Sequence, residues 1–88
     1  MHSNVQKWEY IFLSCQTRDD NWVVTSINGQ DPPSKYKGIS MYMLSQLLGT
    51  EGWELVSSHT SVSIAGVPGQ DASTTSTIIR LIFKRPKL

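Results

Sequence analysis

One cysteine is all this chain has, so Cys15 cannot close an intramolecular disulfide, and His2 and His59 are too few to join it in a structural zinc site. A reducing compartment is the expectation. No apolar run approaches the roughly 20 residues that span a bilayer, and Met1 to Gln6 carry no apolar signal segment, so a cytoplasmic protein away from the membrane is expected. An excess of one charge is also missing. Eight Lys and Arg against seven Asp and Glu leave +1, which argues against a dedicated nucleic-acid binder.

Catalytic sets are equally scarce. Gly66-Val67-Pro68-Gly69 lacks the lysine and the following helix of a phosphate-binding loop. Asp19, Asp20 and Asn21 lack the ligand spacing and glycine of a calcium loop, and read as turn residues. His59 with Ser57 or Ser61 is the nearest approach to a base and nucleophile, and no acid at a fixed spacing orients it. Cys15 has no neighbouring signal for a depressed pKa, so it reads as a buried or half-buried thiol rather than a nucleophile. The expectation is a non-enzymatic protein with no metal and no cofactor.

What is present is enough for one folded domain. Eighty-eight residues, 39% of them hydrophobic, can bury a single core, and residues 1–88 form one unit without internal repeat or linker. Val5 to Cys15 alternates with the period of a strand, and Trp22 to Ile27 is β-branched and aromatic, so Arg18-Asp19-Asp20-Asn21 predicts a hairpin turn between them. Asn28-Gly29 stops the second strand, and Asp31-Pro32-Pro33 opens a loop that lasts to Gly38. Ser40 is a candidate N-cap for a helix from Met41 to Leu48, with Gly49 as its left-handed C-cap. Trp53 to Ser63 and Ser76 to Lys84 predict two further strands, with a flexible connection over Ala65 to Thr75. The fold class is α+β, a four-stranded antiparallel sheet with one packed helix in the order β-β-α-β-β.

One helix cannot cover two sheet faces. Trp8, Tyr10, Phe12, Trp53, Leu55, Ile79, Leu81 and Phe83 are taken as the core face, packed on the Leu44 to Leu48 stripe. The other face then carries Ile11, Leu13, Val23 or Val24, Val56, Val62, Ile78 and Ile82 among Glu9, Glu54, Arg80 and Lys84. Exposed β-branched side chains and open sheet edges predict a homo-oligomer, formed by the uncovered face or by edge pairing.

Three blocks carry a family likeness: Lys7-Trp8-Glu9-Tyr10, the run Leu47-Leu48-Gly49-Thr50-Glu51-Gly52-Trp53-Glu54-Leu55-Val56, and Phe83-Lys84-Arg85-Pro86. In this WEY opening, LG-x-EGWELV centre and FKRP ending the chain resembles a small bacterial family of unknown function. Asn28-Gly29-Gln30 and Lys37-Gly38-Ile39-Ser40 are similar to its longer cyanobacterial members, while the Ser/Thr-rich stretch from Ser57 to Thr77 departs from the compact pattern. The resemblance implies an α+β domain of this size, and no activity, cofactor or catalytic residue. Structural roles suit its motif residues: Trp8 and Trp53 as core aromatics, Gly52 as relief of crowding, Glu9 and Glu54 opposite bases such as Arg80 or Lys84.

Positive charge is gathered late. Arg80, Lys84, Arg85 and Lys87 lie in the last nine positions, and they can protect a sheet edge or, with Lys35, Tyr36 and Lys37 of the pre-helix loop, contact phosphate. Lys35, Tyr36, Lys37 and Arg80 are therefore the candidate ligand-binding residues. The function expected is a cytoplasmic interaction domain that self-associates and presents its loops to an unidentified protein or small molecule. Alternatives are an oligomer that sequesters a small molecule or nucleotide, and a weak oligonucleotide binder using the basic C-terminal strand.

Overall fold

The computed structural model describes residues 5–66 and 73–88. Four strands, β1 (Trp8–Arg18), β2 (Asn21–Ile27), β3 (Glu54–Gly66) and β4 (Ser73–Pro86), and one helix, α1 (Met41–Thr50), follow in the order β1, β2, α1, β3, β4. The strands form a single antiparallel sheet in the spatial order β2-β1-β4-β3, so the predicted α+β class and element order hold. The chain's first and last strands lie side by side at its centre.

The turns form where side chains tolerate left-handed backbone. Asp19 and Asp20 have φ of 52° and 65°, the pair of positive values that a two-residue hairpin needs to match the strands' right-handed twist. Asn28 and Gly29 repeat this at the end of β2, with φ of 53° and 76°, and Ile27 and Gln30 exchange backbone bonds of 2.9 and 3.0 Å across it. Asn28 also continues the ladder of β1: its N–H donates to the Phe12 carbonyl at 2.7 Å, and its Oδ1 accepts from the Phe12 N–H at 3.0 Å. Pro32 and Pro33 then lead into one 3-10 turn, Ser34–Tyr36, and the chain runs back along the outer edge of β2. There the Val24 N–H donates to the Ile39 carbonyl at 2.9 Å.

Helix α1 starts at Ser40, whose Oγ accepts from the Met43 N–H at 3.0 Å. It runs two residues past the predicted end, and Gly49 lies inside it rather than at its cap. The left-handed residue is Gly52, with φ of 88°; its N–H donates to the Gly49 carbonyl at 3.1 Å and the Trp53 N–H to the Leu48 carbonyl at 2.9 Å. These two bonds are a Schellman closure, which satisfies carbonyls the helix end leaves open. A side chain at Gly52 would meet nothing within 4 Å, so backbone angle and not crowding calls for glycine.

The core lies between α1 and one sheet face. Leu44 and Leu48 of the helix meet Leu13 and Cys15 of β1, Val24 of β2, and Leu81 and Phe83 of β4, all buried. Ile11, Trp22, Tyr36, Met41, Trp53 and Ile79 close around them. This reverses the expected faces of β1: Ile11, Leu13 and Cys15 point to the core, while Trp8, Tyr10 and Phe12 point away. Both alternating sets on this strand are apolar, so periodicity alone cannot say which is inward. Register decides, because Ile11, Leu13 and Cys15 lie opposite Phe83, Leu81 and Ile79, whereas Tyr10 and Ser14 lie opposite Lys84 and Arg80.

The β3–β4 hairpin outruns the rest of the sheet. Pairing of β4 with β1 stops at Gln16 and Ile78, but pairing with β3 continues to Gly66 and Ser73. A two-stranded ribbon therefore projects, and the radius of gyration is 16.9 Å against about 12 Å for a compact chain of this length. Residues 64–66 and 73–75, expected in the loop or its flanks, are strand because their backbones pair. The remainder of the predicted connection, 67–72, lies outside the described residues.

Candidate functional site

Strand alternation places every second residue of β1, β4 and β3 on the face that α1 does not cover. From β1 come Trp8, Tyr10 and Phe12, exposed by 40%, 49% and 51%. From β4 come Lys84, Ile82, Arg80 and Ile78, opposite Tyr10, Phe12, Ser14 and Gln16. From β3 come Glu54, Ser57, His59 and Ser61, opposite Lys84, Ile82, Arg80 and Ile78. The result is an aromatic row on a central strand, an aliphatic and basic row beside it, and a row of polar groups, Glu54, His59 and two serines, at the edge.

Local contacts order these side chains. Lys84 Nζ sits 4.2 Å from the Trp8 ring centroid, and the Tyr10 and Phe12 rings stack with centroids 6.4 Å apart and planes inclined by 29°. Arg80 Nη1 donates to Ser61 Oγ at 3.4 Å. The aromatics pack on their neighbours and stay open to solvent. Trp8 was expected in the core; it is a surface residue whose ring carries a lysine.

The predicted ligand residues divide between the two sides of the sheet. Tyr36 packs on the core at the helix side, Lys35 Nζ stands 4.8 Å above its ring, and Lys37 borders a shallow cleft of about 190 Å³ with Arg18 and Asp31. Arg80 belongs to the opposite face, because it alternates with buried Leu81. The structure brings Lys35, Tyr36 and Lys37 together and does not bring Arg80 to them. The late basic residues also do not guard an edge, since β4 is interior and its charges divide, Arg80 and Lys84 to the open face and Arg85 to the helix side.

Arg85, which the sequence offers only as part of the FKRP block and the late basic cluster, is the most connected charged side chain among the described residues. Its Nε donates to Glu9 Oε1, its Nη1 to the Glu51 carbonyl at 2.9 Å, and its guanidinium lies 4.3 Å from the Trp53 ring centroid. Glu9 and Arg85 are also paired in register across β1 and β4, the signal by which cross-strand charge could have been found. An open cleft of about 590 Å³ adjoins this cluster, with Glu51 and Lys87 at its rim. Arg85 engages two donors and its flat face within the fold, so the cluster ties the β1 start, the helix end and β4 together.

His59 is exposed beside Ser57 and Ser61 and makes no hydrogen bond to an acid. Cys15 is fully buried, and burial pushes its thiol up to about 11. No group of three metal-binding side chains assembles, and no helix is long and apolar enough to cross a membrane, among the described residues. No family model, curated protein or solved structure matches the chain.

Proposed function

We propose that this protein is a non-enzymatic binding domain whose open sheet face packs against a second copy. One observation carries the reading: Trp8, Tyr10 and Phe12 form a continuous exposed row on a central strand, with Ile82 opposite Phe12 and Ile78 further along the same face. Burying such a row returns about 25 cal/mol for each Å² of apolar surface removed from water. A second copy suits the charges as well, because Glu54 shares the face with Arg80 and Lys84 and a two-fold arrangement can set unlike charges opposite each other. The pre-helix loop with Lys35, Tyr36 and Lys37 stays free in that assembly to meet a small molecule or protein. A cytoplasmic site of action fits the lone reduced cysteine, and the WEY, LG-x-EGWELV and FKRP blocks support kinship with the small bacterial family.

Phe12→Lys tests the reading without touching the core. The variant should keep the parent's circular dichroism and shift the sedimenting species to a smaller one; an unchanged mass distribution would refute face packing. A second reading is favoured by Arg80 and Lys84 standing beside the aromatic row, which is the pairing of charge and ring that single-stranded nucleic acid uses. It predicts oligonucleotide binding that weakens steeply with salt and is lost in Tyr10→Ala; binding indifferent to salt would exclude it.

A further inference from the structure

We propose that the outer edge of β3 pairs antiparallel with the same edge of a second copy across a two-fold axis, joining two four-stranded sheets into one of eight strands. This surface is separate from the open face. The sheet has two edges, and they are treated differently by the chain. The β2 edge is occupied by the returning loop, through the Val24 to Ile39 backbone bond and the bridge between Val23 and Ser40. The β3 edge has no such cover: among the described residues, the backbone of 57–62 pairs with β4 and with nothing else.

Edge strands are normally defended by lysine, proline, inward charge or shortness. β3 is 13 residues long, and from Leu55 to Gly66 it holds no Lys, Arg, Asp, Glu or Pro. Its one irregularity is the bulge at Val56, so the regular, unprotected run starts at Ser57. A two-fold axis brings each side chain close to its own counterpart strand, and a charged strand would repel itself there. From Leu55 to Gly66 this strand carries no acid, lysine or arginine, and its Ser, Thr and Val side chains accept like neighbours. That absence of self-repulsion is what points to a second copy as the occupant.

Two further observations agree. Leu55, Val56 and Val62 of β3 are exposed, and pairing would bring each copy's set against the other strand. From the Val62–Thr77 pair onward the hairpin has no third strand among the described residues, and a two-stranded ribbon is marginal by itself in water. A partner strand would make it four-stranded. An axis perpendicular to the sheet leaves both aromatic faces on one side, so face packing could join two such pairs into a four-chain particle.

The test combines deuterium exchange with solution mass. In the unmodified protein, amides in 57–62 should exchange at least tenfold more slowly at high protein concentration than at dilution. Thr60→Lys should abolish that protection and halve the particle mass, with circular dichroism unchanged, while Thr60→Val retains both. Phe12→Lys should leave a two-chain particle with 57–62 still protected. Fast exchange in 57–62 at every concentration overturns edge pairing, and if Phe12→Lys also reduces that protein to single chains the face reading stands alone. Protection that rises with concentration, in a particle whose mass Phe12→Lys does not change, removes the face reading and keeps this one. The exchange measurement on the parent protein needs no variant, so a Thr60→Lys chain that misfolds does not disarm the test.

Discussion

Cys15 is the residue whose chemistry the fold alters most. Its ordinary thiol pKa of 9.0 is pushed up to about 11 because the thiolate would be desolvated. Between those values the unfolded chain has lost a proton that the folded chain keeps. The stability contributed by the neutral thiol is therefore complete below pH 9 and is lost as pH rises toward 11. The melting temperature of the parent should fall more steeply over that range than that of Cys15→Ala, which lacks the titration although it starts lower. Equal slopes would place the thiol in contact with water. Native protein should also resist alkylation at Cys15 and react only on unfolding.

At the scale of elements, the helix depends on its two ends as much as on its apolar stripe. Ser40→Ala removes the acceptor for the Met43 N–H and should cost about 1 kcal/mol in urea unfolding. Gly52→Ala forces a β-carbon onto a left-handed residue and should cost about 1–2 kcal/mol. A neutral result at Gly52 would mean that the closure onto Leu48 and Gly49 can relax. The hairpin turn at Asp19-Asp20 and the cap at Ser40 were legible because each is local chemistry. The helix end was displaced because Gly49 and Gly52 both invite a left-handed cap, and only the bonds from Gly52 and Trp53 distinguish them. The faces of β1 were illegible for a different reason: Trp8, Tyr10 and Phe12 are the larger set, and size favours burial. Pairing with β4 overrides size. The alternation of Arg80 and Lys84 with Leu81 and Phe83 was the readable clue, had β1 and β4 been known as neighbours.

The whole molecule follows from one helix serving a four-stranded sheet. The covered face should be intolerant: Leu44→Ala opens a cavity beside Leu13 and Leu81 and should cost about 2–5 kcal/mol, enough to unfold much of a domain this small. The open face should be tolerant in stability and sensitive in assembly, which is why Phe12→Lys and Leu44→Ala should separate cleanly by thermal melting. That contrast, an aromatic row spared by the core and left exposed, underlies the proposed self-association. It is tested most directly by sedimentation equilibrium of the unmodified protein over a wide concentration range. Self-association through the open face gives a mass that is a multiple of the 9.9 kDa chain and that falls toward one chain only on dilution. A mass of 9.9 kDa at every concentration into the hundreds of micromolar would contradict it.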